Sequence, residues 1–451
     1  MTVFDRVFRG VVVTSDQIIA AGHVACRGET IAGFGEGPGP SADEVVDFGT
    51  AMIFPGIVDG HMHTSIYGWQ GIAGATRSAA AGGITTLIDM PYDTPSAVTS
   101  ASVLRDKLEV VQRDAYVDMA LYGTVSKAID PDGIVGLARA GISAFKLSTY
   151  EVNPTRFPRF TPLDLLRAFG EIARTGLPVA IHNEDEELVD ALVAEAVARG
   201  ATGPAQHGAT RPGLAETLAD LEIFEIGLET GAHVHIAHSS VARGFDIAAW
   251  YRSQGGNATA ETCVHYLTLD EDDLVRLGGY GKCNPPLRSR QEVEHIWDRL
   301  RNGQVAYISS DHAPHAHSRK RSPNIFENAS GLTGLQSFVP VMYSALVERG
   351  LPPTLLSDYC AARPARLHGL FPRKGTIAAG ADCDLLVLED GDFSFDQSTI
   401  VDEDDYRWSP YHGRRVRARV RATVLRGEII FDGTTLNSRP GSGRFVARAS
   451  S

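Results

Sequence analysis

Six residues able to hold divalent cations fall at regular places in this sequence: His61 and His63 in VDGHMH, Lys146 in SAFKL, His182 in VAIH, His238 in VHIAH and Asp311 in ISSD. Neutral imidazoles and carboxylates are common ligands of zinc, iron, cobalt and manganese. In His61-Met62-His63 the two rings project to the same side of an extended chain, so both can reach one ion. A solitary histidine is ordinarily a hydrogen-bonded residue. Six metal-capable residues that close apolar runs are harder to explain structurally, because polar groups placed there need partners. Lys146 is the most informative. Its ammonium is costly to bury inside AFKLS, so it snorkels outward, pairs with a carboxylate or gives up its proton. Once neutral, it can add carbon dioxide and become a carbamate, an anion with two oxygens that can bridge two cations.

The elements that must position these residues recur along the middle of the chain. The runs IFPGIVD, ITTLIDM, YVDMALYGT, ISAFKL, PVAIHN, AHVHIAH, NATAETC and QVAYISSD are β-like. Helix-like stretches such as ASVLRDKLEVVQRD, PLDLLRAFGEIART and RQEVEHIWDRLRN lie between them. This alternation predicts an α/β fold, a parallel (β/α)8 TIM barrel over residues 53–374. In such a barrel the C-terminal strand ends converge on one pocket, and that is where the six residues stand. Both chain ends read differently. RVFRGVVVTS and HVACRGETIAGFG near the start, and CDLLVLED and VRARVRATVLRG near the finish, are short, glycine-punctuated or alternating strands. Residues 1–52 and 375–451 are therefore expected to pair into a small β-sandwich domain.

Other polar residues receive plainer expectations. His233 and His235 are out of phase with His238 and are not taken as ligands. His312 and His315 are expected to support the site, and His317 to face solvent. Cys263 and His265 are candidates for the pocket rim. SRKRSPNIFEN reads as a mobile loop over the pocket.

A net charge of −13 over 451 residues argues against nucleic-acid binding. No apolar run approaches the roughly 20 residues of a membrane span, and MTVFDRVFRG lacks the apolar stretch of a secretion signal. Five scattered cysteines without a CxxC pair read as reduced thiols in a cytoplasmic protein. No glycine-rich phosphate loop is present, so no nucleotide cofactor is expected.

FPGIVDGHMH, GGITTLIDMP, AFKL, IHNE, HIAHSS and SSDHAPH together resemble the cyclic amidohydrolases of the amidohydrolase superfamily, a group of dihydroorotases, hydantoinases (dihydropyrimidinases) and allantoinases. The resemblance covers nearly the whole chain. It implies His61, His63 and Asp311 on one metal, His182 and His238 on a second, and carboxylated Lys146 as the bridge. Asp311 would be the proton shuttle. Asn284, Ser330 and Gly331 would bind the substrate ring, and Tyr150 would polarise its carbonyl, although it stands one residue nearer the lysine than in hydantoinases. The dihydroorotase arginine two residues past HxH is replaced by Ser65. ETCVHYLTL, SGLTGLQSF and RWSPYHGRRVRARVRATVLRG look most like allantoinases. The expected reaction is therefore (S)-allantoin to allantoate. A hydantoinase or dihydropyrimidinase is the alternative, followed by a dihydroorotase and, more remotely, a non-catalytic scaffold. The group implies two divalent ions, zinc first, a small-molecule cyclic ureide as partner, and a homo-oligomer (tetramer or dimer).

Overall fold

The computed structural model describes residues 4–449. The strands Ile57–Met62, Ile84–Asp89, Asp118–Gly123, Ala144–Ser148, Val179–His182, Val234–Ile236 and Ala258–Ala260 form one parallel sheet in chain order. Every residue of the first five is buried. Helices cover one face and the curled interior fills the other, so these strands read as continuous apolar runs without alternation. The run expected as one strand over NATAETC is divided. Ala258–Ala260 ends before Glu261, and Thr262–Cys263 then pairs with Ile308–Ser309. Backbone bonds lead on from there, from Asp311 N to His61 O at 2.9 Å and from His63 N to His312 O at 2.7 Å.

The helices follow their sequence signals. Pro162–Ala173 begins at Thr161, whose hydroxyl accepts from Asp164 N while Asp164 answers the Thr161 N–H. It buries Leu165, Ala168, Phe169 and Ile172, the i, i+3, i+4, i+7 stripe of a helix laid on a sheet.

The two chain ends meet in a sheet that curls back on itself, since Ile31 N donates to Ala381 O and Cys26 is bonded to Cys383. They form one continuous seven-stranded sheet in the order Glu428–Phe431, Arg415–Leu425, Leu385–Ser394, Ala42–Pro55, Phe4–Val13, Ile18–Arg27, Thr30–Glu36. The pairing is antiparallel except between Phe4–Val13 and Ala42–Pro55. Ala42–Pro55 is the strand that joins the two ends. Its 14 residues pair with the N-terminal strand and, at Met52–Pro55, with Leu385–Leu388 from the other end. The last residues leave this sheet altogether. Met119 N donates to Arg444 O and Val446 N to Met119 O, so the tail packs against the start of Asp118–Gly123.

Cys26 and Cys383, read from sequence as free thiols, are joined in a disulfide across 357 residues. Both belong to the apolar core of the chain-end sheet. Cys263, Cys283 and Cys360 are buried thiols. Among the described residues no helix is long and apolar enough to cross a membrane.

Candidate metal centre and its cavity

A cavity of about 160 Å³ opens where the parallel strands end. His61, His63, Lys146, His182, His238 and Asp311 all line it. Strand direction explains the convergence: His61 lies in Ile57–Met62, Lys146 in Ala144–Ser148, and His182 closes Val179–His182. His238 and Asp311 follow their strands by two residues. Each takes a left-handed backbone conformation, with φ of 44° and 43°. Non-glycine residues rarely adopt it, and such strain collects at functional sites.

His61 Nε2 and His63 Nε2 lie 3.3 and 3.6 Å from the same oxygen of Asp311. His182 Nδ1 and His238 Nε2 face each other at 3.0 Å. His61 Nε2, Lys146 Nζ and His238 Nδ1 are buried without a hydrogen-bond partner among the described residues. Burial lowers His61, His63 and His238 well below the ordinary histidine value, and neighbouring positive groups add to the effect. It lowers Lys146 to about 8, against the pull of Glu261 and Asp311. Burial also pushes the Asp311 carboxyl well above its ordinary value, with Lys146 opposing. The protein alone thus favours neutral imidazoles and weakens both charges. Bound cations would reverse that balance, and neutral imidazole and carboxylate are the donors they need. The residues present fit a divalent metal centre.

Sequence reasoning passed over the groups that hold these ligands. Glu261 is fully buried; its Oε1 accepts from His61 Nδ1 and, at 3.1 Å, from His238 N. Its signal was an acid in the middle of an apolar strand run, the kind of placement that drew attention to Lys146. Asp59 accepts from Ser310 N at 3.0 Å and from the Ser310 hydroxyl, and burial raises it to about 7. His182 Nε2 meets Glu184 at 3.0 Å, and Arg211 pairs with that same carboxylate oxygen at 2.6 Å.

Asn284, Ser330 and Gly331 line the cavity. The Asn284 Oδ1 atom is buried without a partner among the described residues. Gly331 has φ of 146°, and a Cβ there would stand 2.6 Å from Ala313 O, so only glycine fits. Tyr150 does not reach the cavity: its hydroxyl donates to Asp190 at 3.3 Å and its ring lies under Arg211. Just past the strand end, Ser148 Oγ accepts from Tyr150 N at 3.1 Å and donates to Tyr150 O at 2.6 Å, a local turn that aims the ring outward. Tyr92 lines the wall instead, stacked on His63, with its hydroxyl unpartnered among the described residues.

Among the remaining histidines, His315 lines the cavity and meets Ser330 O at 2.9 Å, while His312 Nδ1 accepts from Gly334 N at 3.0 Å. His317 is half-buried against Tyr280 rather than exposed. His233 and His235 both bond Thr259. Cys263 and His265 are buried outside the cavity wall. The segment expected to be a mobile loop is anchored by Lys320, whose ammonium donates to the carbonyls of Lys282, Ala329 and Gly331.

Comparison with known proteins agrees with this geometry. The chain is 34% identical to an allantoinase from Rubrobacter xylanophilus, over 99% of this chain and 98% of that one. It is 33% identical to an allantoinase from Solibacter usitatus, over 96% and 93%. Among solved structures it superposes on an L-hydantoinase (dihydropyrimidinase) from Arthrobacter aurescens with a TM-score of 0.92, at 28% identity, covering 99% of this chain and all of the other. Residues 52–430 match the model of the amidohydrolase family, and with those full-length likenesses they show that the chain belongs to that family.

Proposed function

We propose that this protein hydrolyses a cyclic amide, and that its substrate is (S)-allantoin, opened to allantoate. One observation carries the reading: six candidate ligands converge on one cavity in a chain alike over nearly its whole length to allantoinases. In this reading the parallel strands make a (β/α)8 barrel over residues 53–374. The bonds from Asp311 to His61 and from His63 to His312 support its closure. The ends, 1–52 and 375–451, are its accessory domain.

His61, His63 and Asp311 would hold one divalent ion, His182 and His238 a second, and Lys146, as N6-carboxylysine, would bridge them. When bound, two such ions, zinc foremost, would supply a water of lowered pKa and a Lewis acid for the ring carbonyl. The chain does the rest. Glu261 takes the proton-bearing side of His61 and leaves its Nε2 facing the cavity. Asp311, within reach of both histidines of the first set, accepts the proton of the attacking water and returns it to the departing ring nitrogen. Asn284, Ser330 and the backbone at Gly331 hold the ring by hydrogen bonds. No role in the reaction is assigned to Tyr150.

The alternative, a hydantoinase or dihydropyrimidinase, draws on the structural neighbours. Dihydroorotate is less favoured: Ser65 replaces the arginine expected there, and Arg288 is spent on Glu216, Ser240 and the Arg211 carbonyl. Steady-state kinetics with allantoin, 5-substituted hydantoins, dihydrouracil and dihydroorotate on one metal-loaded preparation tests the assignment. Allantoin is expected to give the highest kcat/KM. Hydantoins turned over with allantoin untouched would replace the substrate and keep the reaction.

The expected homo-oligomer has a surface to match. Leu214, Leu218, Leu221 and Leu228 of helix Gly213–Thr230, with Leu163 and Leu166 of Pro162–Ala173, leave an exposed apolar face. Light scattering that gives a monomer mass would remove this element.

A further inference from the structure

The cavity wall holds two cationic side chains, Lys146 at its floor and Arg156 on the segment that follows it. The other arginines nearby are neutralised: Arg211 is paired with Glu184 and Arg288 with Glu216. Arg156 has no ion pair among the described residues. All its side-chain hydrogen bonds come from one nitrogen, Nη1, which donates to Ile66 O at 3.0 Å, Thr94 Oγ1 at 2.8 Å and Tyr92 O at 3.3 Å. Those acceptors belong to the connections after the first two strands of the parallel sheet, so the guanidinium is fixed in place. Its Nε and Nη2 donors have no partner among the described residues. Ile66, Tyr92, Val152, Asn153 and Phe157 line the same part of the chain's cavity.

A guanidinium only donates. A fixed one with spare donors at the cavity wall selects a ligand that brings oxygen acceptors to it. We propose that Arg156 is the specificity determinant for the substituent of the ring, receiving the carbonyl oxygen of a ureido arm and discriminating against an alkyl arm of the same shape. The proposal rests on the ring-opening reading above and adds to it the part of the substrate that the metal ligands do not touch. A fixed donor left without its partner penalises the wrong substrate, which makes such sites discriminating.

The test compares allantoin with 5-isobutylhydantoin, whose arm has the same branched shape without the acceptor. Wild-type enzyme is expected to favour allantoin in kcat/KM. In R156M the ratio should fall by about 10–10²-fold, the worth of a hydrogen bond to a charged group, and R156K should retain part of it. An unchanged ratio in R156M, or a wild-type preference for the alkyl arm, overturns the proposal. A second readout needs neither turnover nor a folded variant: modification of Arg156 by phenylglyoxal, mapped by mass spectrometry on the native chain. Allantoin should slow it and 5-isobutylhydantoin should not; equal protection by both overturns the proposal. A preparation that opens neither ring refutes the ring-opening reading, and protection alone then decides the role of Arg156.

Discussion

Lys146 and Lys374 are both shut away from solvent, one at the cavity end of the parallel sheet and the other at its opposite end. Their surroundings differ in kind. Lys374 Nζ sits 2.5 Å from Asp118, 2.6 Å from Asp384 and 2.9 Å from Asp382, with Arg426 also on Asp118. Burial alone would lower its pKa, but the three carboxylates outweigh it and raise the value above that of an ordinary lysine. Lys107, at 2.6 and 2.8 Å from Asp89 and Asp93, is of the same kind. Lys146 Nζ has neither an ion pair nor a hydrogen-bond partner among the described residues, and its pKa is lowered. Three carboxylates gathered without a cation would themselves suggest a metal site, and Asp118, Asp382 and Asp384 are close enough for one. The ammonium of Lys374 already fills that place. A buried lysine with its counter-charges ties elements together; one without them is available for chemistry.

The comparison breaks most visibly at Lys146. Lys146→Ala should abolish hydrolysis and most metal binding while leaving the fold, and short carboxylic acids should restore part of both by standing in for the carbamate. Metal analysis and turnover, with and without added acid, check this. Wild-type turnover in the alanine variant would place Lys146 with Lys374 as a structural residue.

At Lys374 the expected loss is of stability. Lys374→Ala strands buried carboxylates, a change that costs about 3–5 kcal/mol, with metal content per folded chain unchanged. Denaturant titration reads the first and elemental analysis the second. The pH dependence has a definite sign. Burial raises Asp118, but Lys374 and Arg426 together hold it below the ordinary carboxylate value. Its contribution is therefore full above that ordinary value and disappears as pH falls through the lowered one. Lys374, raised, contributes fully below the ordinary lysine value and loses that contribution as pH rises through its own. A wild-type stability profile flat on the acid side would count against the network.

Asp311→Asn should keep the fold and at least one metal ion and slow hydrolysis by about 10²-fold or more, the usual effect of removing a placed proton shuttle. Retained turnover in a folded, metal-loaded variant would move that role elsewhere.

Much of this was legible in the sequence, for reasons that can be named. The parallel strands are buried on both faces and so read as apolar runs, and the polar residues closing them stood out against that background. Helix Pro162–Ala173 carried its capping residues and its stripe in plain view. The pairing of the two chain ends was also visible; that one 14-residue strand serves both ends was not, because strand length is poorly marked. The disulfide depends on register between Ile18–Arg27 and the approach to Leu385–Ser394, which spacing does not encode. Tyr150 was misplaced because the chain turns immediately after Ser148. Lys374 lies in an unremarkable FPRKG, and its partner Asp118 is 256 residues away. Arg156 sits on an irregular segment with no periodicity to fix its direction.

Glu261 tests the comparison most finely. It is a buried carboxylate within the cavity-end constellation, and burial raises its pKa. It does not line the cavity that holds the six candidate ligands. One of its oxygens serves both His61 Nδ1 and the His238 backbone, and the other has no partner among the described residues. If the cavity end is built for metals, this acid keeps His61 in one tautomer and makes its far nitrogen a better donor. Glu261→Gln preserves size and one acceptor but removes the charge. Metal affinity, read by chelator competition, should then fall by about 10–100-fold, as when other partners of ligating histidines are lost. Asp118→Asn at the opposite end should leave that affinity alone and lower stability instead. Equal metal affinity in wild type and Glu261→Gln would mean that Glu261, like Asp118, is there for the fold, and that the division between the two ends is drawn one residue too far out.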